Sequence, residues 1–341
     1  MKKKKPPKCP PLIAVSSSAW FANNTVLVFS GLILLAVAVA GGILYHRHQH
    51  RLPFSERDWV LIAEFENFTG EPVFDSALRM AIERELAHSN FVNVVPVSRV
   101  VDTLRLMRQP LNTRINEKTG REICLRDGNI RVLLAGSIQQ IGGGYQLGLK
   151  VINPQSGVTV THEVEQGANR QEVLPAIRRL ATTVREILGE SLVSIAKSDQ
   201  ALEKVTTPSL EALEHHSKGL QQRARLEFQQ ALLHFNQALE KDPCFAMGYL
   251  ARGKVLLLFS PSGTADFDKA AGLVEGVTLR ENLLIQSNQA FYCQGDLRRA
   301  IDLIELLVGK FPGDYLAHED LGVLYLIAGD LPRWEDNQKE L

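Results

Sequence analysis

Hydrophobic positions divide the chain into three stretches with different periods. Residues 25–45 read TVLVFSGLILLAVAVAGGILY and contain no charged side chain. Residues 58–190 alternate short apolar runs with segments whose apolar residues recur every three or four positions. Over 209–341 only the helical period remains. The pattern predicts one transmembrane helix, then a mixed α/β domain, then an all-α region.

The first stretch has the length of a membrane-spanning helix, since about 20 apolar residues cover the hydrocarbon core. Five lysines precede it, whereas only Arg47 and Arg51 follow closely. Positive charge favours the cytoplasmic side, so residues 1–24 are predicted to form a short basic cytoplasmic tail. A cleaved signal peptide is the alternative, but its apolar part would be only about 7–15 residues long. We interpret 25–45 as an uncleaved anchor in contact with lipid.

Residues 46–57 form a polar stalk, and the α/β domain follows it. Its predicted elements are, in order, a strand in WVLIAEF, a helix from Val73 to Ala87, a strand in FVNVVPV, a helix with Ser98 as N-cap, a helix near Ile115 to Arg126, strands in IRVLLAGSIQQI, YQLGLKVIN and VTVTHEVEQ, and a helix from Arg170 to Leu188. This order, β-α-β-α-α-β-β-β-α, predicts a mixed sheet with helices packed on it.

Three consecutive glycines, Gly142-Gly143-Gly144, separate two of these strands. A phosphate-binding loop would need a helix N-terminus after the glycines, so that backbone amides point at the anion. A strand follows instead. We therefore predict a hairpin turn and no nucleotide cofactor.

After a linker at 191–208, residues recur at a stride of 34, as in tetratricopeptide repeats. The small, aromatic and proline positions of the repeat are matched by Gly219, Ala231, Phe235, Ala238 and Pro243, then by Tyr249 and Gly253, then by Phe291, Ala300, Ile304, Leu307 and Pro312, and finally by Leu321, Gly322 and Tyr325. Small residues let two helices approach closely, and proline ends the second one. Three to four repeats are predicted.

Two segments fit the repeat poorly. Residues 256–281 contain the turn sequence Ser260-Pro261-Ser262-Gly263. In the final unit Pro332 and Trp334 are expected to prevent a regular second helix, which leaves that unit incomplete.

The leading helices of such repeats line a concave groove, where an extended peptide binds through side-chain and backbone contacts. By register this face carries Leu213, His216, Leu220 and Arg223 in the first unit and Leu316, Glu319 and Val323 in the last. The predicted partner is a protein or peptide. Alternatively, some of these residues only pack between repeats.

Catalytic chemistry is not indicated anywhere in the sequence. Glu64 and Glu66 share a strand face, but we interpret them as the solvated end of a strand. His215 and His216 are interpreted as surface residues. The cysteines are scattered and read as buried thiols, so neither a metal site nor a cofactor is predicted. The net charge of zero gives no argument for a nucleic-acid partner.

Three quoted segments carry a family resemblance. VLIAEFENFTGEPVFDSALRMAIERELAHSNFVNVVP and VLLAGSIQQIGGGYQLGLKVINPQSGVTV resemble the TolB-N-terminal-like domain, and TTPSLEALEHHSKGL resembles the hinge that leads into repeats. The order of segments, a membrane helix followed by that domain and then by tetratricopeptide repeats, is similar to the extracytoplasmic half of bacterial membrane-anchored eukaryotic-like serine/threonine kinases. No Gly-rich loop, HRD or DFG motif is present here. The resemblance implies a sensor or scaffold half without its enzyme.

We therefore expect a non-enzymatic, membrane-anchored protein-interaction module. It would lie in a bacterial inner (plasma) membrane as a single-pass protein, with its N-terminus cytoplasmic and its C-terminal domains periplasmic or extracytoplasmic. The first alternative is the sensor half of a signalling system that acts with a separate cytoplasmic enzyme. The second is an enzyme hidden in the α/β domain.

Overall fold

A computed structural model describes residues 52, 54–198 and 206–339. The predicted tail and the predicted transmembrane segment at 25–45 lie outside the described residues. Among the helices that are described, none has both the length and the apolar character needed to cross a bilayer. Residues Leu52–Leu341 group into one unit by their contacts.

A mixed sheet forms the α/β part, which we define as Trp59–Leu188, and this confirms the predicted sheet type. Its strand order is β3-β1-β4-β5-β6, and the short strand β2 also pairs with β4. Strands β3, β1 and β4 run parallel, whereas β4, β5 and β6 form antiparallel hairpins. The strands are β1 (Trp59–Ile62), β2 (Glu66–Asn67), β3 (Asn93–Val94), β4 (Ile130–Ile141), β5 (Gly144–Ile152) and β6 (Thr159–Gly167).

Helices cover both faces of this sheet. They are α1 (Phe74–Leu86), α2 (Val97–Leu106), α3 (Glu117–Asp127) and α4 (Val173–Leu188), the last preceded by a 3-10 turn. In β1, Val60 and Ile62 face the core that α1 and α4 share, and Leu61 faces the core under α2 and α3. This alternation is the period of two that a strand imposes.

The apolar spacing located α1 correctly. Its predicted face, made of Phe74, Leu78, Ala81, Ile82 and Leu86, is fully buried. Because those positions recur every three or four residues, they form a single stripe that packs on the sheet.

Three details differ from the prediction. Ser98 is not an N-cap, because Pro96 holds the extended backbone before the helix and α2 begins at Val97. FVNVVPV forms only the two-residue strand β3. The predicted linker contains helix α5 (Leu192–Ser198).

The glycine triplet forms the hairpin turn that was predicted. Gly142 and Gly143 have φ of +58° and +88°, and β5 starts at Gly144. Two consecutive positive φ angles suit the tight turn between right-twisted strands, and glycine adopts them without strain.

Eight helices in four successive pairs make up the helical part, which we define as Leu210–Gln338. The pairs are α6 (Leu210–Ala224) with α7 (Phe228–Lys241), α8 (Ala246–Leu256) with α9 (Gly263–Ala271), α10 (Leu279–Tyr292) with α11 (Leu297–Lys310), and α12 (Tyr315–Ala328) with α13 (Leu331–Gln338). Each helix packs on the next one along the chain. Short connections make neighbouring helices antiparallel, so the region is an array of stacked helical hairpins.

Residues at the small and aromatic positions of the repeat pack as their sizes predict. Phe235 is fully buried on α7, and a Cβ on Gly219 would lie 2.5 Å from its ring. Glycine at 219 therefore sets the close approach of α6 and α7. In the third pair, Ala300, Ile304 and Leu307 are likewise fully buried.

Both segments that fitted poorly contain helices. Residues 256–281 hold α9, and a Cβ on Gly263 would meet the backbone oxygen of Gly253 at 2.6 Å. The expectation for Pro332 and Trp334 was wrong, because α13 forms. Pro332 lies in the first turn of α13, where a backbone N–H has no partner within the helix, so proline is compatible there.

The first repeat helix packs directly on the α/β part. Helix α6 contacts α1 and α2, and Leu210 and Leu213 belong to the same buried cluster as the core of α1 and α4. At the rim of this seam, Arg170 donates to Glu211 at 2.5 Å.

A buried ion pair joins the ends of α1 and α4. Arg185 binds both carboxylate oxygens of Glu190 at 2.7 and 2.8 Å, and Ser89 and Ser194 donate to the same carboxylate. Burial alone would raise the pKa of Glu190, but these hydrogen bonds together lower it. The carboxylate is therefore fully compensated, as a buried charge needs to be.

Gly219→Ala should destabilise the array, because its Cβ would overlap the buried ring of Phe235. We expect the free energy of unfolding to fall by about 1–2 kcal/mol, the overpacking cost less the helix propensity gained. Urea unfolding of the full chain in detergent micelles, followed by circular dichroism, measures this.

The matched control is Gly309→Ala in α11, where nothing lies within 4 Å of the added Cβ. It should leave stability unchanged or raise it by up to about 1 kcal/mol. Equal effects of the two substitutions would contradict the proposed packing.

Candidate functional site

A cleft of about 530 Å³ lies between the α/β part and the helical part. On one side it is bounded by the end of α1, by β3 and by the start of α2, and on the other by the helical hairpins. We call it the central cleft.

The leading helix of every hairpin contributes to this cleft. The residues that line it from these helices are Leu220, Arg223, Ala224, Lys254, Val255, Arg280, Tyr315, Leu316 and Glu319. The leading helices are therefore turned toward the α/β part, which partly covers them.

A second contact between the two parts, separate from the α1–α6 seam, lies in the wall of the cleft. A Cβ on Gly313 would overlap the side-chain amide of Asn93, so the loop before α12 lies against the end of β3. The amide nitrogen of Asn93 donates to the Arg57 carbonyl at 2.6 Å, which holds the side chain in place. The cleft is thus bounded on two sides by contacts within the chain.

Apolar side chains form much of the wall. They come from both parts of the chain and include Val92, Val94, Pro96, Leu220, Phe228, Val255, Leu258, Phe311, Pro312 and Leu316. Such a surface contributes favourable free energy when a partner removes it from water.

Most of the charged groups in the wall are paired. Arg280 contacts Asp314 at 2.5 Å, and Lys254 contacts both carboxylate oxygens of Asp320 at 2.6 and 2.7 Å. Arg280 is partly buried, which alone would lower its pKa, but Asp314 raises it. These two cations are therefore neutralised within the protein.

Arg84 and Arg223 differ from the other cations of the cleft. Arg84 is 6 % exposed and makes no hydrogen bond or ion pair to any residue that the structure describes. Arg223 approaches Glu319 only to 4.0 Å, beyond hydrogen-bond distance, and that carboxylate is half exposed.

Four of the seven residues predicted for the binding face line the central cleft, namely Leu220, Arg223, Leu316 and Glu319. Leu213 and His216 do not, because both are buried. Leu213 packs into the core of the α/β part, and His216 packs against aromatic rings of the helical part. Val323 is exposed but lies outside the cleft lining. Protein binding by this face stays a prediction.

His216 is buried, so the expectation of a surface histidine was wrong. Its ring packs between Phe235 and Phe245, with centroids 5.6 and 4.8 Å away. Neither ring nitrogen has a hydrogen-bond partner among the described residues. Burial, reinforced by the positive charges of Arg84 and Arg223, holds the pKa of His216 well below its usual value.

The other titratable residues singled out in the sequence, His215, Glu64 and Glu66, are less buried than His216. His215 stacks on His234, with ring centroids 5.8 Å apart. Glu64 lies 3.4 Å from Arg114 in the wall of a second cavity of about 320 Å³, and Glu66 is exposed on β2. Burial raises the pKa of Glu64 in spite of the nearby arginines.

The cysteines of the described residues are separate from one another. Cys124 is buried, and burial raises the pKa of its thiol to about 12. Cys244 is exposed, which corrects the expectation of buried thiols. Within 54–198 and 206–339 no group of three or more His, Cys, Asp or Glu side chains could hold a metal ion.

Arg84 was missed by the sequence reasoning. It follows Ala77 and Ala81 at helical spacing, and all three positions are buried in α1. A charged residue at the end of a buried helical stripe was the available signal.

Comparisons with known proteins were made for the whole chain. A scan of protein-family models gave no match, and a search of curated proteins also gave none. Several solved structures are similar to parts of it.

Two of the similar structures resemble the α/β part of the fold. The LpoB C-terminal domain from Escherichia coli is 12 % identical, covering 34 % of this chain and 85 % of its own, with a TM-score of 0.31. TolB from Acinetobacter baumannii is 14 % identical, covering 40 % of this chain and 29 % of its own, with a TM-score of 0.24.

A third similar structure is a repeat protein. A tetratricopeptide repeat protein from Parabacteroides merdae is 18 % identical, covering 50 % of this chain and 62 % of its own, with a TM-score of 0.30. The matches concern the fold, with TolB-like and repeat-like neighbours. At these scores they carry no argument about activity or partner.

His216 should make stability depend on pH. Its pKa is lower in the folded than in the unfolded chain, so the unfolded state binds the proton first as the pH falls. Stability present above about pH 6.5 should therefore be lost below it, by at most about 1.4 kcal/mol per pH unit.

His216→Leu should remove this contribution. The measurement is urea unfolding of both proteins at pH 7.5 and pH 5.5, where the original chain should lose more stability than the variant. Parallel losses would show that His216 is not the titrating group.

Proposed function

We propose that this chain is a non-enzymatic protein-interaction module and that the central cleft is its binding site. The observation that carries the proposal is the cleft itself, about 530 Å³ in volume, with apolar walls from both parts of the chain. A peptide segment could contact all four leading helices at once, because each contributes to the lining.

The proposal includes a membrane anchor at 25–45 and a periplasmic location for the folded part. Support comes from the uncharged run of 21 residues and from the lysines before it. The narrower hypothesis, a sensor half that acts with a separate cytoplasmic enzyme, stays a prediction based on the resemblance of the sequence segments.

Photo-crosslinking tests the binding site. With benzoylphenylalanine at Leu316 in the cleft, full-length protein in cells should form discrete crosslinked species with another protein. The matched control is Leu306, which is half exposed on α11 and outside the cleft.

Crosslinks should depend on position, with Leu316 giving species that Leu306 does not. The same species from both positions, or none from Leu316, would count against the cleft as the binding site.

Thiol labelling tests the topology. Cys9 precedes the predicted anchor, and Cys244 is exposed on the folded part. In cells with a permeabilised outer membrane, a membrane-impermeant maleimide should label a variant that keeps only Cys244. A variant that keeps only Cys9 should react only after the inner membrane is lysed. The reverse order would overturn the orientation.

A further inference from the structure

We propose that the central cleft binds a side-chain carboxylate of an acidic protein segment between Arg84 of the α/β part and Arg223 of the helical part. The inference rests on the proposed function and specifies the chemistry of its partner. Neither arginine would suffice alone, because each lies on a different wall of the cleft.

Arg84 provides the first argument. Its side chain is buried at 6 % exposure, it lines the cleft, and it has no carboxylate partner among residues 54–198 and 206–339. A guanidinium with so little access to water, limited to the side that faces the cleft, is costly unless an acceptor compensates it. An anion that enters the cleft would supply that acceptor.

The two acidic residues that the α/β part contributes to the cleft lining, Glu83 and Asp102, do not compensate Arg84, because they bind other cations. Glu83 accepts from Arg79 at 2.9 Å, and Asp102 accepts from Arg105 at 2.6 Å. The wall that the α/β part contributes therefore keeps a positive charge at Arg84.

On the opposite wall, Arg223 is the cation whose guanidinium N–H groups are not hydrogen-bonded to a carboxylate of the described residues. Lys254 and Arg280 are held by Asp320 and Asp314 at 2.6 and 2.5 Å, respectively. The separation of Arg223 from Glu319 is 4.0 Å, so its guanidinium can turn to a new acceptor without breaking a hydrogen bond.

A carboxylate matches these two arginines in shape and in charge. Guanidinium groups bind carboxylates through two parallel N–H···O bonds, and such charge-assisted pairs are the stronger hydrogen bonds of proteins. The apolar wall beside them, including Leu220, Phe311 and Leu316, fits the neighbouring side chains of a peptide.

An extended peptide fits the cleft better than a membrane surface does. The α1–α6 seam and the contact between Asn93 and Gly313 bound the cleft on two sides. A bilayer presents headgroups in a plane, whereas a peptide chain can enter a bounded cleft side chain by side chain.

The experiment compares two matched sets of fluorescein-labelled decapeptides. Both sets have Leu and Phe at the same positions, and at four other positions one set has Glu where the other has Gln. Binding to the full chain in neutral detergent micelles is measured by fluorescence polarisation at constant ionic strength. Members of the Glu set should bind about tenfold more tightly than their Gln counterparts.

Arg84→Gln should reduce this preference to about twofold or less, and Arg84→Lys should restore part of it. If Arg84→Gln does not fold, Arg223→Gln tests the same cleft from its other wall. The control is Arg298→Gln, which changes an exposed arginine of α11 outside the cleft and should keep the preference.

Equal binding of the Glu and Gln sets would overturn the carboxylate site while leaving the peptide-binding function intact. Binding of neither set would also overturn it, and the crosslinking at Leu316 would then decide the proposed function separately. A preference abolished in nanodiscs of anionic lipid would assign the arginines to a lipid headgroup instead.

Discussion

Burial of the apolar face of α6 against α1 is the interaction on which the arrangement of the described residues depends. Leu210 and Leu213 enter the core that α1 and α4 share, while the other side of α6 packs on α7. Stacked hairpins bury their apolar faces only against neighbours, so the first helix of an array needs a cover. The α/β part supplies that cover, and in doing so it orients the leading helices around the central cleft.

This seam also explains why the cleft has its particular charges. Because α6 packs on α1, the end of α1 with Arg84 is placed next to Arg223 and to the buried His216. Two cations beside a buried imidazole without hydrogen bonds are an unfavourable combination. The stability of the large surrounding cores allows the protein to keep it, as proteins often do where they bind other molecules.

Most of the fold could be predicted from the periodicity of apolar residues in the sequence. The stripe of α1, the two antiparallel hairpins of the sheet and the small and aromatic positions of the repeats were all visible, since each depends on neighbours within a short stretch. The packing of α6 on α1 could not be predicted from the sequence. Leu213 has the spacing of a groove face, and only the distant residues of the α/β core decide that it is buried.

Local chemistry explains the remaining differences. Pro332 was expected to prevent a helix, yet it lies in the first turn of α13, where a backbone N–H is not required, and Pro96 rather than Ser98 precedes α2 as its N-cap. The cleft could be predicted in part, because the register found Leu220, Arg223, Leu316 and Glu319. Arg84 belongs to the other part of the chain, and no repeat register extends to it.

The contact of Asn93 with Gly313 joins positions that are far apart along the chain. Every hairpin up to the start of α12 lies between them, so this meeting depends on correct stacking of all the intervening helices. Small angular errors at each junction would add up and leave the ends apart. The central cleft accordingly has its second boundary only when the whole array has assembled in register.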